Sequence, residues 1–331
     1  MEHWASLEIA PWRKRRLTHS DIDKGLDDAT RSAPSIAIFR IRDGVVSSDW
    51  PHGGRLPDEP MPMLTARASL IGDFLQAVVT HHAIDCDLSL GIRLGDRGPE
   101  RRDVPIFAFH KVRFEQTILL PDLDFMISAF YAGEEFGDAR PFLDKRPEAF
   151  FIGATTGGIV SMDRLRSDGH ERIRAARFFR DRPGVTFEIS SIVQYDSEET
   201  RAEVERLVPL SHGWRSWQDQ FGYRYLLSMD GNGATWSRTA VALASNSVLV
   251  KYASPSLLYY MHGLDPWVHF IPVRRDSDVI GLVADADRTA ERDAEIAANG
   301  RAFAERHFSR DAVMAYTASL LRLYADAISS R

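Results

Sequence analysis

At 331 residues the chain is too long for one ordinary domain and suits two lobes of about 150 residues each. Hydrophobic residues at 44% allow a normal core, while a formal charge of −6 argues against a general nucleic-acid binder, so any grip on phosphate has to be local. Cys86 is the one cysteine, which excludes an intrachain disulfide and a cysteine zinc site.

The chain opens with MEHWASLEIAPWRKRRLTHSD, which carries charges and Pro11 where a signal peptide needs an apolar run. No stretch approaches a membrane span, so the expectation is a cytoplasmic protein. Trp12-Arg13-Lys14-Arg15-Arg16 is the one dense basic run. With Trp4, Leu7, Ile9 and Trp12 beside it, it reads either as a peripheral contact with an anionic inner-membrane surface or as a solvated lead into the next helix. That helix is expected near Ser20, with Asp23 closing a loose capping box.

Residues 35–42 and 45–48 alternate around Asp43-Gly44, a hairpin signal. Helical periodicity over 64–80 and strands at 86–94 and 104–109 make the first lobe mixed α and β. The charged, proline-containing stretch 138–147 is the expected boundary. Asp122-x-Asp124 has the spacing of a metal motif, but the same spacing recurs at Asp21/Asp23, Asp85/Asp87, Asp276/Asp278 and Asp285/Asp287, so it carries no metal signal.

The apolar run 149–152 ends at Gly153-Ala154-Thr155-Thr156-Gly157-Gly158, whose hydroxyls and N–H groups suit a diphosphate or a ribose; a plain turn is the alternative. Between 222 and 273 the pattern is strand (225–229), tight loop (Asp230-Gly231-Asn232-Gly233), helix (236–243), strand (247–252), short helix (256–262) and strand (268–273). Such alternation predicts an α/β fold with a parallel sheet wound with helices. A glycine-rich loop before a helix lets backbone N–H groups approach an anion, and Arg238 in the first turns can grip phosphate bidentately. The alternative is a topological turn with Arg238 on a solvated face. After Asp278 the chain reads as helix to its end, with Phe303, His307, Val313, Tyr316, Leu320 and Leu321 as its apolar stripe.

This order of elements, closing on KYASPSLLYYMHGLDPWVHFIPV, resembles the C-terminal half of glycosyltransferase family 90, the CAP10-like and protein O-glucosyltransferase group. The likeness runs from about residue 214 to the C-terminus. FFIGATTGG (150–158) and LPDLDFMI (120–127) resemble two further blocks of the family. The resemblance implies a GT-B arrangement of two Rossmann-like lobes facing across a cleft. An acceptor-side lobe would span 1–145 and a nucleotide-sugar lobe 146–295, with helices over 296–331 returning to brace the first.

It further implies a bacterial, lipopolysaccharide-modifying branch. The reaction would be an inverting, metal-independent transfer of glucose or xylose from a UDP-sugar to a hydroxyl of a cell-surface glycan, lipopolysaccharide or capsule, on a glycan or lipid-linked glycan acceptor. No cofactor beyond the donor is expected. The donor-binding candidates are Gly153, Thr155, Thr156, Gly231, Gly233, Thr235, Ser237, Arg238 and Lys251, with His269 a weaker one carried by position.

Two positions depart from the family pattern. Ile152 stands where an arginine is usual, and Tyr131 stands at the position of the catalytic aspartate. A phenol is a poor base at neutral pH, so the acceptor base is nominated among Glu135, Glu134 and Asp122. His81-His82, His110, His212 and His262 form no constellation. A catalytically inactive nucleotide-sugar-binding protein and a membrane-surface interaction module are the two other classes considered.

Overall fold

The computed structural model describes residues 1–49, 61–96, 98, 100–211, 213 and 215–328; His212 and Trp214 lie outside them. In chain order the first elements are α1 (Glu2–Arg13), α2 (His19–Ser32), β1 (Ile36–Arg42), β2 (Val45–Asp49), α3 (Met61–His81), β3 (Leu88–Arg93), β4 (Ile106–Ala108), β5 (Lys111–Val112), β6 (Ile118–Leu119) and α4 (Leu123–Ile127). Next come β7 (Arg146–Gly153), α5 (Met162–Arg166), α6 (Glu171–Phe179), β8 (Val185–Ile189), α7 (Glu198–Leu207), α8 (Trp217–Gln220), β9 (Tyr223–Ser228), α9 (Trp236–Ala244) and β10 (Val248–Tyr252). β11 (Ser256–Leu257), β12 (Ile271–Val273), α10 (Asp276–Ala284), α11 (Ala290–His307) and α12 (Arg310–Ala327) complete the chain. Two units result: Met1–Phe130 with Pro255–Gly263 and His307–Arg331, and Tyr131–Ser254 with Leu264–Arg306.

The first unit is built on a sheet of order β2-β1-β3-β4-β6, antiparallel from β2 to β3 and parallel from β3 to β6. The β1–β2 hairpin turns at Asp43 (φ 48) and Gly44 (φ 75), the paired positive values that a two-residue turn matching strand twist requires. Helix α2 starts one step earlier than expected, because Thr18 forms the reciprocal box with Asp21 and leaves Ser20 inside the helix.

The N-terminal segment turns most of its apolar side chains inward, while its basic run over 13–16 stays exposed. It is a 12-residue helix with Trp4, Ala5, Glu8, Ile9 and Trp12 buried at helical spacing, packed with α12. Three of the four apolar side chains behind the membrane reading therefore point inward. On α12 the buried Tyr316 and Tyr324 donate to Leu119 O (2.8 Å) and Ser89 O (3.2 Å), so a stripe that reads as apolar also satisfies strand carbonyls.

The second unit holds a five-stranded sheet, β12-β10-β9-β7-β8, parallel throughout. Every residue of β9 and β10 is buried, as continuous apolar strands covered on both faces should be. Phe151 stacks on Phe187 at 4.2 Å, and the Tyr225 phenol donates to the buried Asp293 carboxylate at 2.7 Å. The strand expected over 268–273 shortens to Ile271–Val273, because Trp267 adopts φ 66 and its N–H closes a turn on Phe270 O at 2.7 Å. The short helix expected over 256–262 is β11 followed by a 3-10 turn, Tyr259–Gly263.

The stretch 138–147, expected to be the boundary, lies inside the second unit. Buried Lys145 donates to Asp138 (2.5 Å), Ser247 Oγ (2.8 Å) and Phe221 O (2.9 Å), so charges that suggest a linker are an enclosed pair instead. The units divide earlier, between Phe130 and Tyr131.

Candidate active site

Within the second unit, sheet order and chain order run together except between β7 and β9, where the direction of strand addition reverses. In open α/β sheets the carboxyl ends of strands at such a point leave a crevice. Here those ends carry the 153–158 and 230–233 loops, 75 residues apart in sequence at the Gly157–Asn232 contact, where the Gly157 N–H donates to Asn232 Oδ1 at 3.2 Å. Glycine is required at this approach: a Cβ on Gly231 would lie 2.3 Å from Thr156 Oγ1, and Gly157 has φ +130.

Arg172, from the first turn of α6, fastens the two loops. Its guanidinium donates to Ala154 O and Thr156 Oγ1 (both 2.8 Å) on one side and to Met229 O (2.8 Å) and Asp230 O (3.1 Å) on the other. Burial draws its pKa down to about 10 against the pull of Asp230 and Glu171. Beside it a cavity of about 230 Å³ is lined by Thr156, Gly157, Arg164, His170, Asp230 and Gly231. Burial, then the Arg164 cation, pushes His170 down to about 4, so its imidazole is neutral at neutral pH. Asp230 is held by Lys251 Nζ at 3.3 Å and by the Ser254 hydroxyl.

A second cavity, of about 400 Å³, is lined by Ile152, Ser190, Arg215, Trp217, Ser237 and Arg238. Arg238 donates to Ile152 O and to Gln220 Oε1 (3.3 Å), with its guanidinium 4.9 Å from the Phe151 ring centre and 5.7 Å from that of Trp217. Burial, and then the Arg172 cation, draws it down to about 9, still charged at neutral pH. Neither Arg172 nor Arg238 forms an ion pair with a carboxylate among the described residues. Arg238 thus reaches Ile152 at the end of β7 from α9, the helix that follows the neighbouring strand β9.

The expected donor residues divide by where their side chains point. Thr156 and Gly231 line the first cavity, Ser237 and Arg238 the second. Gly153 sits at the end of β7 with its carbonyl taken by the Ser190 N–H at 3.0 Å, and Gly233 O accepts the Gly231 N–H at 3.1 Å. Thr155 points inward: its hydroxyl donates to Val193 O and accepts the Val193 N–H, both at 2.8 Å. Thr235 is likewise engaged, with Ser228 (2.6 Å) and Thr239 (2.9 Å). Lys251 neutralises Asp230. His269 accepts the Asp265 N–H at 3.0 Å and packs edge-on against Phe303, a structural placement.

Among the nominated bases, Asp122 is a correction. It lies fully buried in the first unit, where Oδ1 accepts the Asp124 N–H (3.2 Å) at the start of α4, and burial raises its pKa well above the carboxylate range. A carboxyl so enclosed is out of reach of an acceptor hydroxyl. Glu134 and Glu135 are exposed on a 3-10 turn of the second unit, and the Gln218 amide of α8 donates to the carbonyl of Gly137 (2.7 Å) and, at 3.4 Å, to those of both glutamates. Trp217, which lines the second cavity, is the residue before Gln218 on that helix. Tyr131 packs edge-on against Phe136 of the same turn.

Sequence reading missed Arg172, Arg164, His170, Asp230 and Trp217. The run RLRSDGHERIRAAR around the first three reads as a solvated helix face, and nothing local reveals that Arg172 bonds to carbonyls of the distant β9 loop.

The glycosyl transferase family 90 profile matches residues 84–331. Among curated relatives, protein O-glucosyltransferase 2 of Danio rerio is 36% identical over 34% of this chain and 22% of its own length. Protein O-glucosyltransferase 3 of Homo sapiens is 23% identical over 79% of this chain and 51% of its own. The chain therefore spans from about a fifth to a half of the length of these relatives. Among solved structures, TarM superposes with a TM-score of 0.39 at 13% identity, over 57% of this chain and 37% of that one. With its profile running from just before β3 through α12, the chain belongs to glycosyl transferase family 90.

Proposed function

We propose that the second unit binds the diphosphate of a UDP-sugar across the ends of β7 and β9. The chain then transfers glucose or xylose, with inversion and without a metal, to a hydroxyl of a cell-surface glycan, lipopolysaccharide or capsule, working in the cytoplasm. The observation that carries this reading is the pair of guanidinium groups at one crevice, fastened by carbonyls and neutralised by no carboxylate among the described residues. A buried and a half-buried cation held by carbonyls rather than paired with carboxylates fit an anionic ligand. Helix α9 adds its first-turn N–H groups, since its N-cap Thr235 makes no capping bond. Trp217 offers a ring face on which a nucleobase can stack.

Inversion requires a base on the acceptor hydroxyl and charge stabilisation on the departing UDP. Arg238 and the α9 N-terminus supply the second by holding the diphosphate oxygens as the glycosidic bond breaks. Glu135 or Glu134 supplies the first, because both are exposed on the turn tethered beside Trp217. Incubation with a panel of UDP-sugars, measuring UDP release with and without chelator and with a lipid-linked glycan acceptor, tests the reading. Release with UDP-glucose or UDP-xylose that persists in chelator is expected. Strict metal dependence, or preference for a nicotinamide cofactor, would overturn it. Tyr131 at the aspartate position favours one other outcome, UDP binding with no release under any acceptor, which would make this a nucleotide-sugar-binding protein.

A further inference from the structure

In the first unit, residues 112–115 form a tight turn: the Glu115 N–H donates to Val112 O (2.9 Å) and the Val112 N–H to Glu115 Oε2 (3.1 Å). Arg113 and Phe114 occupy its tip. Phe114 is 87% exposed, the largest exposure of a large hydrophobic side chain among the described residues, and Val112 beside it is 45% exposed. A single exposed apolar side chain needs no explanation; the position of this one does. The buried Trp12 indole donates to Gln116 O (2.8 Å), and Arg15 donates to Gln116 Oε1 (2.7 Å) with its guanidinium 4.7 Å from the Trp12 ring centre. The turn is therefore bolted to the C-terminal end of α1, where Arg13, Lys14, Arg15 and Arg16 are all exposed.

We propose that this corner, Phe114 and Val112 with Arg13, Lys14, Arg15, Arg16 and Arg113 around them, docks on an anionic lipid bilayer. None of the five cations forms an ion pair among the described residues. The nearby acids are already engaged: Glu115 accepts the Val112 N–H of its own turn and lies 3.9 Å from Arg93, and Glu100 accepts the Gln116 N–H and pairs with Arg102. A cationic corner on a chain of formal charge −6 is drawn to an anionic surface. The protruding ring then decides between surfaces, because a phenyl group gains by entering the boundary between headgroups and acyl chains and gains nothing from a solvated polyanion. Trp12, which suggests membrane contact in sequence, is here the buried bolt, and Phe114 is the inserting group. The inference stands apart from the donor site, since its test needs no nucleotide.

Sedimentation of the full chain with vesicles of equal parts phosphatidylglycerol and phosphatidylcholine, against phosphatidylcholine alone, is the experiment. Binding to the anionic vesicles alone, released by salt, is expected. Lys14→Gln should weaken it about fivefold and Phe114→Ser about tenfold, with circular dichroism unchanged because both side chains are exposed. Failure to bind the anionic vesicles at low salt would overturn the proposal. So would Phe114→Ser binding as the wild type does, or equal affinity for a duplex oligonucleotide, since either makes the corner a general polyanion surface.

Discussion

Both units enclose charges whose partners are complete, but the second also holds charge in the opposite way. In the first, the Glu8 carboxylate is enclosed by donors: Lys111 Nζ at 2.7 Å, His262 Nε2 at 2.7 Å and the Leu119 N–H at 2.9 Å. These contacts outweigh burial and hold its pKa below the ordinary value of 4.5. In the second, Arg172 and Arg238 are ringed by carbonyls, and burial lowers both. A buried charge whose partners are complete is part of the scaffold, whereas cations fixed by neutral acceptors at the edge of a cavity keep capacity for an anion.

The contrast breaks most sharply at Glu8. Glu8→Ala leaves Lys111 buried without its carboxylate, and stability should fall by about 3–5 kcal/mol in a urea titration. Because the folded pKa of Glu8 is depressed, its contribution is full above the unfolded value and is lost as pH falls through the folded one; acid titrations of wild type and variant should converge there. A variant as stable as the wild type would dissolve the distinction.

Arg238→Ala should act on the other side. UDP affinity by calorimetry should drop by about 1.5–3 kcal/mol, with the melting temperature little changed. Early melting with affinity retained would place Arg238 in the scaffold. Smaller still is the difference between two adjacent threonines: Thr155→Val should cost about 1–2 kcal/mol of stability through its two bonds to Val193, while Thr156→Val should chiefly weaken UDP binding. Equal behaviour of the pair would show that the inward and outward faces of this loop are not separable. Smallest is Gln218→Ala, which should loosen the 134–137 turn by about 1 kcal/mol, read as faster amide exchange there.

What sequence reveals here is what depends on near neighbours. The strand, glycine loop and helix leading to Arg238 are legible because apolar runs and glycines announce them within a few residues. The role of Arg172 is not, since its acceptors on the β9 loop lie 57 and 58 positions away and are backbone atoms with no residue preference. Asp138 and Lys145 mislead for a related reason: a charged, proline-bearing stretch looks solvated until the hydroxyl of Ser247, 102 positions on, is found waiting for the ammonium. Helix α1 hid because half of its face only becomes apolar against α12, at the far end of the chain.

The division of the chain also bears on the order in which it is made. The first unit draws on 1–130, on the β11 segment and on α12, so the carbonyls of Ser89 and Leu119 wait for Tyr324 and Tyr316, made 235 and 197 residues later. Domains commonly fold as units in the order they are made, while later residues are still being synthesised. Here the first unit closes only after the second has been made, and a ribosome stalled before residue 310 would leave α1 and its tryptophans without the helix that covers them.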